Sequence, residues 1–235
     1  MQKNNEEQQE LQEQQEFLEE AQKIEQPTAT QKVKSKKHIA AATIAKVAIL
    51  TAISWILYVV VKFPLPFLFP SFLDVQISDL PALLGGFSMG PLWGCVIVVL
   101  KCLLKMPMSG TGCVGELADI LIGIAFVLPA SLIYQQNKTK KGALMGLLLG
   151  TACAIIVAVL ANRFLLIPFY VKVMFGGTIE PLVNMVSSLY NGVNANNFYA
   201  YYLLLAVVPF NMLRCVVSAG ITFAVYKSLS KILHW

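Results

Sequence analysis

Charge is what this sequence has least of: Asp, Glu, Lys and Arg make up 13% of its 235 residues, against 57% apolar, and the mean hydropathy is +0.65. So few charges cannot cover a soluble domain, and the composition indicates an integral membrane protein. Histidine is nearly missing. His38 and His234 stand at the two ends of the hydrophobic body, which argues against zinc hydrolysis or a histidine-based triad inside the membrane. Five cysteines (Cys95, Cys102, Cys113, Cys153, Cys215) include no CxxC pair, and in hydrophobic sequence they read as small buried apolar residues, neither disulfides nor metal ligands. The glycine-rich stretch Ser109 to Gly115 (SGTGCVG) lacks the GK[ST] ending of a phosphate loop, so it carries no nucleotide reading.

The charges that are present are unevenly spread. Residues 1 to 37 hold eight glutamates and six lysines, while residues 38 to 235 hold five acids and twelve bases. The first 37 residues have no basic-then-apolar pattern and are not a signal peptide. Leu11 with Leu18 and Phe17 with Ile24 recur at seven residues, too few pairs for a coiled coil. Residues 1 to 38 are therefore expected to be a disordered cytoplasmic tail, and residues 39 to 235 a helical membrane domain.

Within that domain the hydrophobic pattern predicts six spans. The first, about Ile39 to Val61, has Ala41 and Ala45, then Ala48 and Ala52, four residues apart. Such a face lets another helix approach closely, either within the chain or as a docking surface for a partner. The stretch KFPLPFLFPSFLDVQIS (Lys62 to Ser78) contains Pro64, Pro66 and Pro70 with Phe63, Phe67, Phe69 and Phe72. Prolines stop a helix and aromatics favour the membrane interface, so this is an outer loop that either closes over a ligand or anchors the chain. Asp79 is placed to cap a short second span, Leu80 to Met89, and Gly90-Pro91 turns into a third, Leu92 to about Leu104. Short spans of this kind often surround a transport site.

Polar residues inside the later spans carry the functional signal. Lys101 and Lys105, at the end of span three, read as snorkelling side chains. Glu116 and Asp119 open span four, which runs to about Tyr134. As first-turn acids they complement the helix dipole, and they share a face from which they can meet a ligand or a base such as Lys101 or Arg214. Span five, Gly142 to about Pro168, has a small residue at every fourth place (Gly142, Gly146, Gly150, Ala154, Ala158), and the next in that series is Asn162, beside Arg163. Span six, Tyr199 to Tyr226, holds Asn211 and Arg214 within VVPFNMLRC. An arginine in mid-span costs about 2.5 to 3.5 kcal/mol on insertion scales, and a bound polar ligand together with other intramembrane polar groups would compensate it. Lys32, Lys34, Lys36, Lys37, Lys138, Lys140, Lys141, Lys227 and Lys231 fall on one side of the six spans, against Lys62, Lys105, Lys172 and at most Lys101 on the other. The positive-inside rule then places both termini in the cytoplasm.

Several of these stretches resemble the riboflavin-specific S components (RibU type) of energy-coupling-factor (ECF) transporters. They are FLDVQISDLPALLGGFSMGPLWG (Phe72 to Gly94), VGELADILIG (Val114 to Gly123), LLLGTA with LANRFLLIPFY (Leu147 to Tyr170), and VPFNMLR (Val208 to Arg214). The likeness covers about residues 40 to 230 in order and leaves out the tail. It implies an all-α, six-helix subunit of a bacterial cell membrane that holds one vitamin near the outer face under the first loop. It further implies a membrane coupling subunit and two cytoplasmic ATPases as partners, so the chain itself is expected to be no enzyme, to bind no nucleic acid and to carry riboflavin as cargo rather than a cofactor. Position by position, the family's helix-five and helix-six asparagines match Asn162 and Asn211, its lysine one turn later is Arg214 here, and its helix-one docking face matches Ala41 and Ala45. The chain departs from the family pattern at Gln76, at Cys102 after Lys101, and at Asp119. The expected binding set is therefore Asn162, Asn211, Arg214, Gln76, Glu116, Asp119 and Lys101, with a flavin phosphate such as FMN or another vitamin as the alternative cargo. Read from residues alone, a proton-coupled secondary transporter or a membrane enzyme using Glu116 and Asp119 stays open beside it.

Overall fold

The computed structural model describes residues 14–15, 29–70 and 73–233. Leu11, Phe17, Leu18 and Ile24, and with them most of the expected tail, lie outside the described residues. By its contacts the chain divides into residues 1–45 and 46–235. Helix α1, Ala29–Val60, continues from the first unit into the second, and it begins well before the apolar span expected from Ile39. After it come the strands β1 (Lys62–Pro64) and β2 (Asp74–Gln76), then α2 (Leu80–Met89), α3 (Pro91–Lys105) and α4 (Val114–Gln136). Helix α5 runs Lys140–Met174, the short α6 spans Glu180–Ser187, and α7 starts at Phe198 and continues to Leu233.

Five of these helices are long and apolar enough to cross a membrane, where six spans were expected: Ala41–Val60, Pro91–Met108, Val114–Gln136, Lys140–Met174 and Phe198–Val225. Of the other two, α6 has 8 residues and α2 has 10, so that α2 rises only about 15 Å, half of a hydrocarbon core of about 30 Å. Helices α2 and α3 form a hairpin around Gly90, whose φ of +106° is open to glycine at no steric cost. The glycine series on α5 packs against α4: a Cβ at Gly146 would sit 2.5 Å from the carbonyl oxygen of Ala130, and one at Gly150 2.4 Å from that of Phe126. Only glycine lets the two backbones come so near. Ala154 and Ala158 continue the buried ridge up to Asn162.

Three stretches, in two helices, depart from regular α geometry. Helix α5 widens to a π-helix over Asn162–Leu166 and again over Tyr170–Met174, and α7 does so over Tyr202–Val207. The first and last of these end two residues before Pro168 and Pro209. A proline lacks the N–H and crowds the carbonyl four residues back, and a π turn just upstream absorbs both defects while the helix continues. Span five therefore passes through Pro168 instead of ending there. The expected outer loop contains a small antiparallel ribbon, with Lys62 opposite Gln76, Phe63 opposite Val75 and Pro64 opposite Asp74. Its apolar residues Phe69 and Val75 cluster with Phe210 of α7, Phe69 meeting the Phe210 ring edge-on at 5.4 Å.

Candidate functional site

Under the β1–β2 ribbon lies a cavity of about 310 Å³, within the size range of small-molecule sites. Its wall includes Gln76, Glu116, Asp119, Asn162, Asn211 and Arg214, drawn from the ribbon and from α4, α5 and α7. Six of the seven residues expected at a binding site thus face one space. Lys101 is the exception: it is fully buried behind that wall. Tyr58, Leu73, Thr111, Tyr170 and Phe210 also line it and were not singled out from sequence, and so do Lys62 and Lys105, read there only as a loop base and a snorkelling side chain.

The polar wall is organised as a closed ring of hydrogen bonds. Lys101 Nζ donates to Ser78 Oγ (2.6 Å), Ser78 Oγ to Gln76 Oε1 (3.1 Å), and Gln76 Nε2 to Asp119 Oδ2 (2.6 Å). Arg214 Nη1 donates to Asp119 Oδ1 (2.5 Å) and Nη2 to Asp79 Oδ2 (2.8 Å), and Lys101 Nζ returns to Asp79 Oδ1 (2.5 Å). Ser54 of α1 adds a bond from its hydroxyl to the Ser78 carbonyl. All six ring members are buried, and two cations face two carboxylates, so the ring carries no net charge. This balance is what makes so much polarity tolerable inside a bilayer.

Two sequence expectations change here. Asp79 precedes α2 but makes no side-chain cap on it, because both of its oxygens are committed to Lys101 and Arg214. Nor do Lys101 and Lys105 snorkel. Lys105 is buried against Glu116 (Nζ to Oε1, 3.5 Å) and donates to the Met108 carbonyl at 2.9 Å. Glu116 also accepts from Ser109 (2.6 Å) and Thr111 (3.3 Å) of the SGTGCVG turn, so that turn builds the cavity wall around a carboxylate.

The two intramembrane amides sit beside the π turns. Asn162 donates through Nδ2 to the Ala158 carbonyl on its own helix (2.8 Å) and accepts at Oδ1 from the Tyr202 hydroxyl (2.7 Å), tying the π turns of α5 and α7 together. Asn211 likewise donates to the Val207 carbonyl (2.9 Å), and among the described residues its buried Oδ1 has no partner, as is also true of Arg214 Nε. Arg163, next in sequence to Asn162, turns away from the cavity and lies 3.7 Å from the centroid of the Tyr199 ring. At the rim, Lys62 pairs with Asp74 at 3.5 Å. The Tyr190 hydroxyl lies 2.6 Å from the Leu68 carbonyl of the ribbon loop and 3.0 Å from that of Leu205 on α7. Among the described residues no cluster of three or more His, Cys, Asp or Glu side chains is placed to hold a metal.

A multi-pass helical bundle enclosing a polar cavity beneath a lid defines a membrane protein built around a small solute. The chain belongs to the family of substrate-specific components of ECF transporters, whose model matches residues 42–226. Similar proteins include the riboflavin transporter RibU of Staphylococcus aureus (strain TCH60), 30% identical over 80% of this chain and 89% of that one. The riboflavin transporter FmnP of Bacillus subtilis (strain 168) is 29% identical over 73% of this chain and 83% of its own. A solved structure of the S component of a bacterial ECF transporter is 27% identical, covers 83% of this chain and 99% of that one, and superposes with a TM-score of 0.63. The protein is thus a multi-pass transport subunit of a bacterial plasma membrane.

Proposed function

We propose that this chain captures riboflavin at the outer face of the membrane and delivers it inward with an ECF coupling subunit and two cytoplasmic ATPases. Six passes, the short α2 included, put both termini in the cytoplasm and the 62–79 lid outside. With Lys101 and Lys105 paired inside the protein, only Lys62 and Lys172 remain as outer loop bases, which strengthens the charge asymmetry behind that topology. Ala41, Ala45, Ala48 and Ala52 of α1 are all exposed, which supports a docking face for the coupling subunit over packing within the chain.

The observation that carries the cargo reading is the charge balance of the cavity. Each cation on its wall is matched: Lys62 by Asp74, Lys105 by Glu116, Arg214 by Asp119. Riboflavin is uncharged, with a flat ring whose carbonyl and imide rim suits the amides of Asn162 and Asn211 and the guanidinium of Arg214 on that wall. A flavin phosphate brings about 1.5 to 2 negative charges and finds no unmatched cation. The same pairing argues against an acid–base or proton-carrying role for Glu116 and Asp119, since each already faces a base.

Titration of the purified full-length protein with riboflavin and with FMN tests this. Quenching of flavin fluorescence is expected with riboflavin, at least about tenfold tighter than with FMN, which is the cost of one unmatched charged contact. Protein that binds neither, in either detergent or nanodisc, overturns the cargo reading; equal affinities overturn its charge argument.

A further inference from the structure

Asn211 and Arg214 are among the seven residues the sequence offers for cargo contact, and Arg214 is held in place by others. Its guanidinium sits at the junction of two carboxylates from different elements, Asp119 on α4 and Asp79 ahead of α2. Asp119 is itself a wall residue, held on its second oxygen by Gln76 of the lid ribbon. Asp79 is different: it is 2% exposed and absent from the wall, as is Lys101 at 0%. Space for this rear support is provided by α4, where Gly123 approaches Asp79 Oδ1 and any Cβ there would meet Val98 at 2.7 Å. An aspartate that gives up its own helix cap has its geometry set by something else.

We propose that Asp79 and Lys101 are positioning residues: from behind the cavity wall they fix the plane of the Arg214 guanidinium and lock it, through Ser78 and Gln76, to the lid ribbon. The planar fork of arginine has a definite orientation that an ammonium lacks, so the guanidinium keeps one orientation on the wall only while both Nη groups are held. Because Gln76 belongs to β2 and also closes the ring, lid placement and guanidinium placement are one hydrogen-bonded unit.

The proposal rests on the cargo reading above, but its test does not depend on it. The chain has two arginines, Arg163 and Arg214, so arginine-selective ¹⁵N labelling of the full-length protein yields two side-chain spin systems, assigned with Arg214→Gln. Restricted rotation, seen as separate Nη signals, is expected at Arg214 in the unliganded wild type. Asp79→Asn is expected to average those signals, while Lys101→Arg keeps them separate. Arg163 serves as the internal control for folding. If Asp79→Asn does not give monodisperse protein, the isoelectric pair Asp79→Asn/Lys101→Met replaces it, with the same averaging expected. Riboflavin titration completes the cycle: Asp79→Asn weakens binding about tenfold or more, and adds less than about threefold on top of Arg214→Gln, as for residues acting through one contact. Separate Nη signals in the Asp79 variants, or losses that multiply in the double variant, overturn the positioning role. Wild-type protein that shows the restricted Arg214 but binds no riboflavin overturns the cargo reading alone.

Discussion

At the scale of single residues, buried charge is governed by pairing. Removing one partner of a buried pair leaves the other exposed to a low dielectric and costs about 3 to 5 kcal/mol, whereas removing both together is often close to neutral. Lys101→Met is therefore expected to lower the thermal unfolding midpoint of the detergent-solubilised protein sharply, and Asp79→Asn/Lys101→Met to recover most of the loss. A double variant no more stable than the single one would show that the pair is not an isolated unit. Asn162, Asn211 and Arg214 stood out in the sequence because each is polar in an apolar run, and the structure gathers all three on one wall. Asp79 did not stand out. At the start of a helix an aspartate has an ordinary explanation as a cap, and nothing in its immediate neighbours reveals that Lys101 and Arg214, 22 and 135 positions away, claim its oxygens. The lysines were hidden in a similar way, since a base near a span end looks like a snorkelling side chain until its partner is known.

At the scale of elements, periodicity served well wherever one helix meets another along a ridge, and failed where the helix itself changes. The four-residue glycine series on α5 predicted a close helix contact, and Gly146 and Gly150 make it with α4. The π turns were not legible: Pro168 looked like the end of span five, and Pro129 sits inside α4, which stays α-helical throughout, so an intramembrane proline alone does not announce one. The lid was legible as a loop but not as a ribbon, because its strands are 3 residues each and their alternation is lost among prolines. Its closure depends on two contacts, Phe69 on Phe210 and the Tyr190 hydroxyl beside the Leu68 and Leu205 carbonyls. Tyr190→Phe removes the polar latch and keeps the ring. Stopped-flow measurements are expected to show cargo dissociation accelerated by about three- to tenfold, the equivalent of one net hydrogen bond, with association little changed. An unaltered off-rate would assign closure to the aromatic contact alone.

At the scale of the whole molecule, composition indicated the membrane and hydropathy the long helices; α2, counted as a span from sequence, has 10 residues and is not among the five helices long enough to cross. Topology follows from the lysine count and has a direct check. Cys113 in the SGTGCVG turn is exposed, while Cys102 and Cys215 are buried and Cys95 and Cys153 are partly so. A membrane-impermeant maleimide added to intact cells is expected to label the protein, and Cys113→Ser to abolish most of that labelling. Labelling confined to inside-out vesicles would invert the orientation.

The closed ring of charges also bears on how the protein is made. Its members enter the membrane at different times during synthesis: Asp79 and Lys101 early, Asp119 with α4, and Arg214 only with α7, the last helix of the bundle. Until α7 arrives, two carboxylates share a single ammonium, and the nascent bundle holds an unmatched negative charge at a depth where one costs about 2.5 to 3.5 kcal/mol. Until then the unmatched carboxylate escapes the cost by taking up a proton, and the arrival of Arg214 is what lets it ionise.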